Sequence, residues 1–159
     1  MVSVQVLKEF GVFEGVDDSQ LAKIGEICHE RTLNEGALCF SQGRKATELH
    51  LCRSGKVYTL AKVYDMEVTV HTVQSGEVFG WSALVAPYVY TASAKCAGKV
   101  EEIYMKRADL LNLFERDPLT GYIVMRNLSA LVSSRLKETA DKLAREIAAA
   151  SDAHRDREW

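Results

Sequence analysis

Between Gly36 and Met105 the apolar residues recur with a period of two, in short runs broken by Gly36, Gly43, Gly55, Gly76 and Gly98. Consecutive side chains of an extended strand point to opposite faces, so this pattern demands strands with one buried face, and the glycines supply the tight corners between them. Leu49 and Leu51 share a face by that rule, as do Val68 and Val70. No crossover helix intervenes between the runs, which excludes a parallel sheet and leaves an antiparallel sandwich or small barrel.

Helical periodicity flanks this region on both sides. Val4, Leu7 and Phe10 stand at helical spacing, and Leu21, Ile24, Ile27 and Cys28 repeat it behind Asp18 and Ser19, either of which can cap a helix start, so two short helices are expected. After the strands, Lys106 to Phe114 reads as a short helix, and Pro118 takes the first position of a long one expected over 119–150. Val124, Leu128, Leu131, Val132, Leu136, Leu143 and Ile147 form its apolar stripe. That stripe outruns what a small barrel can cover, so the expected partner is a second copy of the helix in a homodimer. Residues 1–150 are expected to make one domain, and the polar tail 151–159 is expected to fray.

Composition excludes several classes. A formal charge of -2 provides no footprint for nucleic acid or for an anionic membrane surface. The first ten residues lack a charged start followed by an apolar run, and no stretch approaches the roughly 18 apolar residues of a membrane span, so a cytoplasmic protein without a signal peptide is expected. Cys28, Cys39, Cys52 and Cys96 form no C-x-x-C unit and read as buried apolar thiols. Ser82 lies in no G-x-S-x-G pattern, and His29, His50, His71 and His154 each stand alone, without the His-x-His pair of a cupin-like metal barrel; neither catalytic residues nor a metal is expected. Glu101 and Glu102 read as a solvated pair on a strand edge, and the cations of the long helix, among them Arg126, Arg135, Lys137, Lys142 and Arg145, as its water-facing side.

One segment breaks the strand pattern: Gly76-Glu77-Val78-Phe79-Gly80-Trp81-Ser82-Ala83-Leu84, followed by Pro87-Tyr88-Val89-Tyr90-Thr91-Ala92. It reads as a strand end, a glycine that lets backbone approach a ligand, and a helical turn able to offer N–H groups to an anion. Glu77, if buried, requires a polar partner, for which a ligand hydroxyl and solvent both qualify.

With this cassette, the chain from Leu7 to Leu143 resembles the cyclic-nucleotide-binding domain family, the sensor half of catabolite-activator-type regulators and of cyclic-nucleotide-gated kinases and channels. The resemblance rests on Phe10 and Phe13 ahead of the Leu21-Ile24 helix, the Gly36–Gly43 loop around Phe40, the Leu49, Leu51, Gly55 and Val57 strand turn, and the Gly76–Ala92 cassette. It implies a mainly β fold with flanking helices, an antiparallel jelly-roll-like β-barrel plus a long C-terminal helix. It implies cyclic AMP or cyclic GMP as ligand. By position, it assigns the ribose hydroxyl to Glu77, the cassette start to Phe79 and Gly80, the phosphate to Ser82 and Ala83 with the Thr91 hydroxyl, and a base contact to Thr139.

Two departures modify that expectation. The family's phosphate-binding arginine belongs immediately before Thr91 or one place earlier, where this chain has Val89-Tyr90. A charge-assisted hydrogen bond contributes about 1.5–3 kcal/mol, and a phenol does not neutralise phosphate at neutral pH. Weak or altered cyclic nucleotide binding follows, unless Arg44, Lys45 or Lys95 compensates or the ligand is different; Trp81, Tyr88 and Tyr90 would make an aromatic pocket, or simply fill the barrel. The second departure is that about a dozen residues follow Ile147, too few for a helix-turn-helix, so the expected output runs through a partner protein and not through DNA. The competing expectation is a ligand-free dimerisation or docking scaffold.

Overall fold

The computed structural model describes residues 1–157, which divide into two compact units, Met1–Asn127 and Leu128 onward. In the first unit, helix α1 (Val4–Leu7), a 3₁₀ turn (Gly11–Phe13) and helix α2 (Asp18–Glu26) precede strands β1 (Cys28–Leu33), β2 (Leu38–Phe40), β3 (Glu48–Ser54), β4 (Val57–Val63), β5 (Met66–Val73) and β6 (Val78–Phe79). A second 3₁₀ turn (Trp81–Leu84), β7 (Ser93–Cys96), β8 (Val100–Lys106), helix α3 (Arg107–Arg116) and helix α4 (Pro118–Arg155) follow. The described strands form two antiparallel sheets, ordered β1-β8-β3-β6 and β2-β7-β4-β5. This is the jelly-roll connection pattern, but the sheets face each other without closing into a barrel.

Cys52, Val57, Val73, Phe79, Ala94, Cys96 and Val100 fill the space between the sheets, with Phe40 and Leu33 packed against them. The opposite face of the first sheet is buried as well. Leu49 lies across from Met105 and Leu51 across from Ile103, all four fully buried. Helices cover that side: the Cys28 thiol of β1, in register with Met105, donates to the Ile24 carbonyl of α2. A strand buried on both faces loses its alternation, which is why Leu49 to Cys52 are buried without a break.

Val68 and Val70 do share a face, but it is an exposed one, since β5 is the edge strand of its sheet. Several boundaries also differ from the sequence reading. Asp17, not Asp18 or Ser19, caps α2, its carboxylate accepting from the Gln20 N–H at 2.9 Å. Cys28 opens a strand rather than continuing a helix: α2 ends at Glu26, and Cys28 pairs with Met105 at the start of β1, the strand that brings Arg31 opposite Glu102. Helix α3 runs from Arg107 to Arg116. Helix α4 continues to Arg155, past the expected end at 150, because Ala148, Ala149, Ala150 and Ala153 favour helix, Ser151 bonds back to the Ile147 carbonyl and Arg155 pairs with Asp152 at 2.9 Å. Of the expected tail 151–159, residues 151–155 are therefore helical, while Glu158 and Trp159 lie outside the described residues.

The start of α4 has Pro118 at its first position, as expected, and Asp117, which the sequence reading did not single out, as its cap. The Asp117 carboxylate accepts from the Thr120 N–H and, at 2.7 Å, from the buried Thr120 hydroxyl. Asn127 then ties the helix to the first 3₁₀ turn by donating to the Val12 and Glu14 carbonyls at 3.0 and 2.7 Å. Replacing Asp117→Ala leaves the Thr120 hydroxyl and the first turn of the helix without their acceptor. The expected loss is about 1 kcal/mol, read as a lower urea midpoint at unchanged m-value.

Candidate functional site

The cassette starts where β6 lays Val78 and Phe79 beside Leu51 and His50 of β3. The Gly76 N–H donates to the Cys52 carbonyl and the Cys52 N–H to the Glu77 carbonyl, which fixes the turn before it. Glu77 directs its carboxylate back into that turn: it accepts from the Gln74 N–H and stands 3.6 Å from the His71 imidazole. Gly80 follows with a φ of 71°, and a Cβ there would lie 2.8 Å from His50 Cδ2 and 3.0 Å from Phe40 Cε1, so both backbone angle and space require glycine. The turn Trp81–Leu84 buries Ala83 and Leu84 and leaves Trp81 and Ser82 half-buried.

Beyond Pro87 the chain runs antiparallel to the Gly43–Ala46 segment. Lys45 pairs with Val89, the Tyr90 N–H donates to the Arg44 carbonyl at 2.9 Å, and the Gly43 N–H to the Tyr90 carbonyl at 2.9 Å. This pairing sends the Tyr90 ring inward. It is 5% exposed and stacks on Phe40 with centroids 3.9 Å apart and planes 10° off parallel. Its hydroxyl donates to the Glu48 carbonyl at 2.8 Å and accepts from the Glu48 N–H at 3.3 Å. Burial pushes the Tyr90 phenol pKa up, so it stays protonated and neutral. With the hydroxyl bonded to the backbone of β3, Tyr90 fills the position at which the sequence pattern anticipates an arginine.

The remaining expected site residues are spread out. Thr91 is exposed at the end of the cassette. Thr139 belongs to the second unit, where its hydroxyl donates to the Arg135 carbonyl of its own helix at 2.9 Å. Of the three candidate compensating cations, Arg44 is exposed and is tied to the cassette by its backbone. Lys95 points outward, because its neighbours Ala94 and Cys96 take the inner face of β7. Lys45 remains beside the cassette, next to Val89.

Sequence reasoning missed the polar centre of the sandwich. Glu102, expected at a solvated edge, is 1% exposed. It lies opposite Arg31 in the β1–β8 register, and the two side chains form a hydrogen-bonded ion pair. Its second oxygen meets His50 Nδ1 at 3.2 Å, while Arg31 also reaches Glu48 Oε2 at 3.3 Å. Burial alone would raise the Glu102 pKa, but the hydrogen bond and charge of His50 and the Arg31 guanidinium outweigh it and hold the carboxyl below its usual range. The misleading signal was alternation: in Val100-Glu101-Glu102-Ile103, Glu102 shares a face with Val100, and only a cation on the neighbouring strand makes that face habitable. The thiols are quiet, with burial pushing Cys28 up to about 12 and Cys52 to about 11. Among the described residues no group of three His, Cys, Asp or Glu is placed to hold a metal ion, and no helix is long and apolar enough to cross a membrane.

Comparison with known proteins places this jelly roll and its cassette. The Cyclic nucleotide-binding domain profile matches residues 30–117, more than half of the chain, and the protein belongs to that family of regulatory domains. A cyclic nucleotide-binding protein of Geobacter metallireducens, known from its crystal structure, superposes with a TM-score of 0.77 at 32% identity, covering 86% of this chain and 99% of that one. The sequence is 25% identical over 146 residues to the CRP-like cAMP-activated global transcriptional regulator of Mycobacterium tuberculosis, covering 88% of this chain and 61% of the regulator. It is 32% identical over 134 residues to Glutaminase 1 of Bradyrhizobium diazoefficiens, covering 82% of this chain and 21% of the glutaminase. The chain thus spans about three fifths of the regulator and a fifth of the glutaminase.

The buried ion network makes stability depend on pH. Because the folded-state pKa of Glu102 is depressed, its contribution is complete above the ordinary carboxyl value and disappears as pH falls through the folded value. Glu102→Gln is expected to cost on the order of 3 kcal/mol at neutral pH, and the gap from the wild type should narrow towards about pH 3. Urea melts of both proteins at the two pH values test this; a gap independent of pH would contradict it.

Proposed function

We propose that this chain is a regulatory binding module, not an enzyme, whose cassette binds cyclic nucleotide weakly or accepts a different ligand. The inward stacking of Tyr90 carries this reading. A guanidinium at that position would offer charge and paired donors to a cyclic phosphate; the neutral phenol offers neither, and its hydroxyl is already bonded to Glu48. Glu77, Phe79, Gly80, Trp81, Ser82, Ala83, Tyr90 and Thr91 are the proposed lining of the ligand region. Glu77 is already committed in part to its own turn through the Gln74 N–H, so a ribose hydroxyl would share its carboxylate.

Calorimetric titration with cyclic AMP and cyclic GMP tests this reading. The wild type should bind about tenfold to a hundredfold more weakly than a variant with the arginine restored, the equivalent of the missing charge-assisted bond. Tyr90→Arg restores it at the expense of the Phe40 stack, so Val89→Arg, at an exposed position, serves as the second variant. Tight binding by the wild type would overturn the proposal. No response from any of the three proteins would favour the alternative, a ligand-free scaffold that keeps the fold for assembly or docking; the self-filled Phe40–Tyr90 contact supports that alternative.

The proposed assembly is a homodimer through α4, with regulation passing to a partner protein. Leu136, Leu143 and Ile147 are 56–70% exposed and, with Ala140 between them, follow the four-three-four spacing of a coiled-coil seam. Leu136 and Leu143 alternate there with Ala140 and Ile147, and leucine paired with a β-branched residue, as at Leu143 and Ile147, favours two strands. Sedimentation equilibrium should find a dimer that Leu143→Glu converts to monomer with its helical circular dichroism retained; a monomeric wild type would refute the assembly.

A further inference from the structure

A second charged feature lies outside the cassette. Lys45, Thr47, Glu48, Lys106, Arg107 and Ala108 line an open cavity of about 380 Å³ where the loop before β3 meets the start of α3. The loop is tied to the helix by the Arg107 N–H, which donates to the Thr47 carbonyl at 2.8 Å. Lys45, Lys106 and Arg107 converge here, and among the described residues none of them is within ion-pair distance of a carboxylate. The nearest acids are committed elsewhere. Glu48 turns its Oε2 inward, 3.3 Å from Arg31 and 3.8 Å from the His50 Nε2, a fully buried nitrogen with no hydrogen-bond partner. Asp109 lines a different cavity, with Lys23 and Arg116.

The start of α3 brings two cations together with one first-turn acid, Asp109. Lys106 occupies the N-cap of α3 without a capping side-chain hydrogen bond, and Arg107 follows it, so two cations stand where the helix dipole is already positive. Arg107 is held in place by the Tyr88 ring, its guanidinium carbon 4.1 Å from the centroid. A guanidinium stacked on a ring keeps its N–H edge available for a planar or tetrahedral oxyanion. An anion in the cavity would relieve the repulsion among three unpaired cations and use the helix start as well.

We infer that this cavity is a phosphate-binding site, separate from the cassette pocket, that accepts the phosphate group of a small molecule. Lys45 and Lys106 supply charge, and Arg107 supplies the paired donors. The site touches the cassette from outside, since Lys45 pairs with Val89 and Arg107 stacks on Tyr88, so an occupant would stiffen the Tyr88–Tyr90 segment. It does not depend on the reading of Tyr90 above.

The test is a titration of the full chain with inorganic phosphate and with AMP, followed by amide resonances, against chloride at matched ionic strength. Saturable shifts at Lys45, Thr47 and Ala108 with phosphate but not chloride are expected. Arg107→Ala should weaken binding by about tenfold or more, with a partial recovery in Arg107→Lys, and Lys45→Ala should weaken it without disturbing the Arg107–Tyr88 stack. Equal affinity for phosphate and AMP assigns the site to the phosphate group alone; tighter AMP binding adds contacts from the rest of the molecule; either supports the site. Equal shifts with chloride, phosphate binding unchanged in a Lys45→Ala, Arg107→Ala double variant, or capture of a polyglutamate peptide with no response to phosphate would overturn it.

Discussion

The sandwich depends on a buried carboxylate being held. Glu102 lies between two sheets in a region otherwise closed by Cys52, Phe79, Ala94 and Val100, and an unpaired charge there would cost several kcal/mol. Arg31 on one neighbouring strand and His50 on the other secure it, so the order β1-β8-β3 is fixed by charge as well as by backbone pairing. A slip of one residue in either pairing would move one partner to the helix-covered face and strand the carboxylate. Register specification of this kind adds to what the apolar residues provide, and it extends to the cassette, because the same His50 ring packs against Phe79 and limits Gly80.

Family membership and the particular chemistry of this chain therefore separate. The jelly roll and the cassette backbone are those of a cyclic nucleotide-binding domain, and both are maintained by contacts that involve no ligand: the β6 pairing, the Gly43–Ala46 ladder and the glycine under Phe40. Tyr90 belongs to that maintenance. Its ring and hydroxyl contribute to the core of the first unit.

Much of this was legible in the residues. The period-two region with its glycines identified an antiparallel β fold, and Pro118 with the stripe from Val124 identified α4. What stayed hidden has a common cause, which is that local pattern reports only one neighbour. β1 was unreadable because Arg31 makes it look solvated, and Glu102 because its partners are 71 and 52 residues away in the chain. Pro118 was readable for the opposite reason, since its fixed backbone angle marks a helix start without any distant partner. In the cassette, the missing arginine could be seen from sequence, whereas the direction of Tyr90 could not: it follows from the pairing of Val89 with Lys45, a contact made by topology.

The open sandwich has a consequence at its rim. A closed barrel would spend every backbone donor and acceptor, but β5 ends its sheet with eight residues bonded along one side only. Its outward side chains include Met66, Val68 and Val70, with Glu67 as its single carboxylate. An extended apolar edge of this length is a template on which another strand can grow, and one charge is a thin guard against it. The hairpin that carries this edge is therefore where the fold is most open to adding a strand from outside, whatever the state of the cassette.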